Sequence, residues 1–426
     1  MNGRLAQLLI LASALAFAPG AFAAEEITST LSLDELVAAA LRDNPQLRAL
    51  RARWEAMGER PAQERTLPNP MFSYMGMDEV DRHRFPDTNE RRLELQQQFP
   101  WFGKLGLRGK VAEKDAEATE HMYWAAAREV VMMIKESYFD LFGVQQALTI
   151  TRGEKDVLSR MQKIAETKYS TGTASQPDVL KAQAEISMLG ARLLELEQQE
   201  VTIKARINTL LNRPPESSLG LAVTPPQAEF EGAYERLQAL AREHRHEIDH
   251  AQVEIQREQH RRDLMKKEFF PDYRLGIEYR NFDRGEDMVM FTVGVDLPIW
   301  QRKYRAGVRE AEKMIESSKA ALDAVERQTS FDVRDAHFKA LTAQRTVALY
   351  RTALVPQAEM RFQASEAGYR TGKVDFLDLL ESERFLLNAR VMLAMAEGNL
   401  GMQLARLERA VGTDLNLNAN DGGNKK

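Results

Sequence analysis

The chain contains no cysteine. That excludes disulfide staples, thiolate chemistry and attachment of lipid through a cysteine, so any anchorage must come from the fold. Long apolar runs are also scarce. Beyond the first residues none approaches the roughly 20 residues that a membrane-spanning helix needs. Excess charge of one sign is missing too, with 58 basic and 63 acidic residues giving a net charge of -5, which is no signature of nucleic-acid binding. No HExxH, GxSxG, P-loop or dinucleotide-binding glycine pattern occurs. The expectation is therefore a protein without catalysis or a cofactor, whose energy comes from another protein.

What is present begins with a secretory signature. Arg4 precedes the short apolar run Leu8 to Phe17, and Ala21-Phe22-Ala23 reads as an A-x-A cleavage site. Residues 1–23 are expected to be a signal peptide.

The remainder reads as a duplication of about 200 residues. Tyr169-Ser170-Thr171-Gly172 precedes Asp178-Val179-Leu180, and Tyr369-Arg370-Thr371-Gly372 precedes Asp378-Leu379-Leu380 at the same offset. Ala40 to Leu47 resembles Ala241 to Ile248, and Phe99-Pro100-Trp101 resembles Leu297-Pro298-Ile299. The expected organisation is a first repeat over 24–211, a proline-rich linker over 212–232, a second repeat over 233–415, and a disordered polar tail over 416–426.

Each half is expected to hold a helix of about 35 residues, two short strands and a long helical hairpin. The first helices are Leu33 to Gln63 and Tyr234 to Lys267. Leu379, Leu386, Leu393, Leu400 and Leu407 recur every seven residues. Ile186, Leu189, Leu193, Leu196, Ile203, Ile207 and Leu210 follow three- and four-residue spacings with one gap at Glu200. Both patterns imply coiled-coil packing. The helices from Lys104 to Lys168 and from Lys303 to Tyr369 would each reach about 95 Å, with Pro356 kinking the second.

Strands are expected at Met71 to Met77, Arg92 to Phe99, Tyr273 to Tyr279 and Met288 to Leu297, joined by polar loops at Asp78 to Glu90 and Asn281 to Asp287. Phe291, Val293, Val295 and Leu297 alternate with Thr292, Gly294 and Asp296, the weak period-2 signal of an outer-membrane barrel. Four strands cannot close a barrel, and open edges are not tolerated in lipid. Either the sheet is soluble, or two, three or four chains share one barrel.

This plan, with a Y-x-T-G…D-[VL]-L turn in each half, resembles the TolC family of outer-membrane efflux proteins. The resemblance covers nearly all of the mature chain. It implies a homotrimer in which a shared 12-stranded β-barrel in outer-membrane lipid continues as an α-helical barrel across the periplasm. It also implies docking on a periplasmic adaptor and an inner-membrane RND pump. Leu67-Pro68-Asn69-Pro70 followed by Gln98-Phe99-Pro100-Trp101-Phe102-Gly103-Lys104 is similar to the CzcC/CusC-like heavy-metal efflux branch. By that resemblance Asp378 and Glu381 form acidic rings that gate the periplasmic tip, Tyr369 helps latch the inner helices, and Asp178 holds the equivalent place in the first half. Asp178 and Asp378 are also where the helix macrodipole favours an acid regardless of function. Gly172 and Gly372 are expected to be structural, at the hairpin turns.

Metal ligation is a weaker expectation. His246 and His250 share a helix face at i, i+4 beside His244, a spacing that suits a weak bidentate site, yet no cage is evident and no metal site is expected. Met71, Met75, Met77, Met288 and Met290 offer soft thioethers, but lipid-facing or packing roles are favoured. The competing readings are a periplasmic coiled-coil adaptor or scaffold, a secreted enzyme with a helical stalk, and a duct for organic toxins or drugs.

Overall fold

A computed structural model describes residues 30–77, 90–172, 175–222, 232–282 and 286–415. The expected signal peptide, the loop after Met77, the later part of the linker and the tail lie outside the described residues.

The first half opens with a short strand β1 (Thr30–Leu31) and helices α1 (Leu33–Asp43), α2 (Pro45–Gly58) and α3 (Arg60–Arg65). Strands β2 (Met71–Met77) and β3 (Glu90–Phe99) follow, then the 67-residue helix α4 (Lys104–Ser170) and its partner α5 (Gln176–Leu210). A short β4 (Leu221–Ala222) pairs in parallel with β1. The second half repeats the order: α6 (Tyr234–His244), α7 (His246–Lys267), β5 (Asp272–Phe282) and β6 (Met288–Asp296). Then come α8 (Gln301–Leu349), a π-helical turn (Tyr350–Leu354), α9 (Val355–Arg370) and α10 (Phe376–Val411).

The expected 35-residue opening helices are each broken. Asn44 is extended (ψ 123°), because Pro45 disfavours the helical region for the residue before it. The Asn44 side chain caps the new helix by accepting from the N–H groups of Gln46 and Leu47, and donates to the Leu210 carbonyl at 3.0 Å. Arg245, at the corresponding place in the second half, is also extended (ψ 109°) and donates to Asp332 at 2.7 Å. Neither the β1–β4 pair nor these breaks was foreseen. Pro356 lies just after the π-helical turn, which absorbs the missing N–H and the ring's clash with the preceding turn.

The core lies where α1 and α2 pack on the middle of α4, joined by α5 and α10. The seam of α5 buries Leu189, Leu193, Leu196, Ile203 and Ile207. Glu200 fills the gap in that seam, accepting from Gln145 at 3.0 Å and pairing with Lys204 at 2.7 Å. On α10 the seven-residue run is buried at Leu379, Leu386 and Leu407, whereas Leu393 and Leu400 are only half-buried. A straight helix drifts out of a strict heptad, and small residues take over the contact. A side chain at Gly398 would stand 2.7 Å from the Phe139 carbonyl oxygen, so only glycine lets α10 approach α4 this closely.

The sheet is antiparallel in the order β2-β3-β5-β6, with free edges at β2 and β6. Register aligns Phe72, Leu95, Ile277 and Phe291 in one row, and Tyr74, Leu93, Tyr279 and Val289 in the next. Phe72 is 66% and Phe291 76% exposed, so this face is an apolar surface without a partner among the described residues. The opposite face carries Ser73, Glu94, Arg92, Glu278 and Arg280, with Arg92 paired to Glu278 at 3.1 Å. Strand parity places Met71, Met75, Met288 and Met290 on this polar face, which corrects the lipid-facing expectation for them; the side chain of Met77 lies outside what is described. No helix among the described residues is long and apolar enough to cross a membrane.

Sheet and helices are joined through one buried cation. Lys104, 2% exposed, donates from Nζ to Asp272 at 2.8 Å, to the Phe270 carbonyl at 3.1 Å and to Glu268 at 3.2 Å. Asp272 also accepts the Trp101 N–H at 2.8 Å, and the Trp101 ring stacks on Phe270 and Tyr273. Lys104→Met should lower the stability of the detergent-purified protein by about 3 kcal/mol or more, since it strands two acids beside a buried site. Thermal unfolding followed by circular dichroism checks this, and an unchanged midpoint would remove Lys104 as the joint.

Candidate functional site

The far end of the long helices carries the two hairpin turns. At the first, the Gly172 N–H donates to the Tyr169 carbonyl at 3.0 Å; at the second, the Gly372 N–H donates to the Tyr369 carbonyl at 3.2 Å. Both glycines have φ 74°, a left-handed conformation that side-chain-bearing residues rarely adopt.

The acidic residues beyond these turns behave differently in the two halves. Asp178 forms a capping box with Ser175, accepting its backbone N–H at 3.1 Å and its hydroxyl at 2.8 Å. This is the helix-start role that residue type and position allow. In the second half Asp375 is the cap, accepting the Asp378 N–H at 2.8 Å. The Asp378 carboxylate is thereby released from capping. Asp378 and Glu381 are both exposed and stand one turn apart on α10.

Tyr369 sits between the hairpins. The Lys168 ammonium from α4 lies 3.9 Å over its ring and donates to its carbonyl at 3.4 Å, and Phe376 packs at 5.6 Å. Its hydroxyl is buried with no hydrogen-bond partner. Burial, and then the nearby Asp178 charge, push the phenol above its ordinary range. The tip thus brings Tyr369 and Asp178 together, while Asp378 and Glu381 point to solvent.

One turn along, Arg384 of α10 donates from Nε to Glu185 of α5 at 2.8 Å, with a second bond from Nη2 to the same carboxylate. The Glu381 charge adds to the field around this arginine. Glu185, Arg384, Lys168 and Asp375 all escaped the sequence reading. Heptad position alone marks the first two as flanking charges, and only the fold shows that they face one another.

The histidines separate. His244 is exposed at the end of α6, whereas His246 and His250 are half-buried on α7 against α4.

The family model "outer membrane efflux protein" matches residues 36–213 and again 237–413. The chain belongs to the outer membrane efflux protein family. It is 22% identical over 400 residues to the cobalt-zinc-cadmium resistance protein CzcC of Cupriavidus metallidurans, covering 91% of each chain. Its fold matches the outer membrane protein VceC of Vibrio cholerae with a TM-score of 0.75 at 20% identity, covering 89% of this chain and 96% of that one. It also matches CusC, which forms a transmembrane channel, with a TM-score of 0.77 at 17% identity over 89% and 92% of the two chains. This efflux protein is thus a channel subunit of the outer membrane that extends into the periplasm, with the sheet as its membrane part and the helices as its conduit.

Removing the Arg384 tie should loosen α5 from α10 at the tip of this efflux protein. In Arg384→Ala, amide hydrogen exchange over 180–190 should rise about fivefold, as expected for a part-exposed ion pair worth about 1 kcal/mol. Unchanged exchange there would show that the pair contributes nothing.

Proposed function

We propose that three copies of this chain close a 12-stranded barrel, and that the resulting duct carries transition-metal cations outward from a periplasmic adaptor and an inner-membrane RND pump. The observation that carries the shared barrel is the four-stranded sheet with one apolar face, one charged face and two free edges. In lipid each free edge must be paired, and the edge of another copy is the complementary partner. Metal cargo draws support from the likeness to CzcC and from the Pro100 to Lys104 segment. The polar face of the sheet, which would line the lumen, also carries methionine thioethers beside its charged pairs.

In this reading the tip is the gate. Threefold symmetry turns Asp378 and Glu381 into two acidic rings at the periplasmic mouth, which concentrate cations and repel anions. Tyr369 with Lys168, and Arg384 with Glu185, hold the second hairpin against the first and keep the mouth narrow. Asp178 serves the turn rather than the pore. The duct itself only conducts, so transport energy enters through the pump.

Two measurements test these roles. In planar bilayers, Asp378→Ala with Glu381→Ala should raise single-channel conductance and weaken cation selectivity; unchanged conductance and selectivity would remove both residues from the gate. A strain lacking this protein should become sensitive to transition-metal salts but not to organic toxicants. The opposite pattern, with no related duct compensating, would make the cargo organic.

A further inference from the structure

Midway between sheet and core, α7 lies against α4, and three ligand-type side chains meet there. His121 comes from α4, while His246 and Asp249 come from the first turn of α7. The Nδ1 atoms of His121 and His246 each lie 3.8 Å from Oδ2 of Asp249. The three ligand atoms are all within 4.8 Å of one another. The two imidazole centroids are 5.8 Å apart, and the Trp124 ring stacks on His246 at 6.3 Å.

Ordinary polar packing does not account for this arrangement. Both Nδ1 atoms are buried, and neither has a hydrogen-bond partner. A separation of 3.8 Å is too long for a hydrogen bond, and buried ring nitrogens normally find a partner. Ligands at about 2.1 Å from a tetrahedral ion stand about 3.4 Å apart, so the two 3.8 Å separations are within a few tenths of an ångström of that spacing, and the remaining pair, within 4.8 Å, has to close by about 1.4 Å at most.

We propose that His121, His246 and Asp249 bind one divalent transition-metal cation per chain, of the zinc and cobalt class that accepts mixed imidazole and carboxylate ligands. The ion braces α7 to α4 directly after the break at Arg245, where α7 begins without a side-chain cap. It is a resident ion, and the proposal does not depend on what the duct transports. His250, one turn further along α7, stands outside the three-atom cluster.

The test uses full-length, untagged protein in detergent, stripped with chelator and titrated with cobalt(II) alone. The expected result is one equivalent per chain, with the visible absorption bands of a low-coordinate nitrogen–oxygen site, displaced by zinc(II). Zinc should also raise the thermal midpoint, as mass action requires. His121→Ala and His246→Ala should each weaken binding at least tenfold and abolish the zinc-dependent rise, while His260→Ala changes neither. His121→Gln, close in size to the native residue, guards against misfolding and should behave as His121→Ala does. Absence of saturable cobalt binding in the wild type, or equal affinity in the His121 and His246 variants, would overturn the site. Binding as expected together with unchanged metal tolerance of the deletion strain would overturn only the cargo reading.

Discussion

A β-sheet in lipid cannot end. Every backbone N–H and C=O on an exposed edge strand lacks a partner where no water can supply one. In this chain the edges are β2 and β6, and nothing among the described residues covers either. The rest of the molecule follows from that constraint. Pairing edge to edge with other copies generates a ring, and a ring of sheets forces a ring of helices below it. In such a ring, residues that are exposed in one chain, such as two acids on α10, recur around the axis, which is the basis of the proposed gate. The strands of 7 to 11 residues suit a tilted membrane crossing, and the apolar rows across all four strands supply its lipid face.

A ring of rods is useful only if sheet and rods are rigidly coupled. Lys104 provides that coupling. It begins the longest helix of the first half and reaches acids and a carbonyl at the point where the second half enters the sheet. A buried ammonium is tolerated because its three donors all find oxygen acceptors. The second half has no equivalent: Trp300 stands 72% exposed where α8 begins, and no buried lysine follows it. Duplication therefore produced two similar halves with one joint between them rather than two identical joints.

The tip shows the same divergence within a repeated plan. Both turns use glycine at the same offset and with the same φ. In the first half the acid at the repeated position serves as part of the helix cap. In the second half a different acid, Asp375, caps the helix and leaves Asp378 free. The cap position itself is the same in both halves, Ser175 and Asp375; an aspartate there supplies the capping oxygen and leaves the acid three residues on exposed.

Much of this was legible in the sequence because it depends on local rules. The seven-residue periods, the glycine turns, the strand alternation and the strand–proline–helix junctions are set by backbone sterics and side-chain periodicity within a few residues. Pro45 could have predicted the break at Asn44 by the same kind of rule, whereas Arg245 carries no such mark. The tertiary structure alone decided the rest. It set which strand face the methionines occupy, which arginine meets Glu185, and that His121, distant in sequence from His246, comes to lie beside it. These outcomes depend on register and helix rotation across separate elements. They are fixed by packing summed over the whole chain, to which no short stretch of sequence holds the answer.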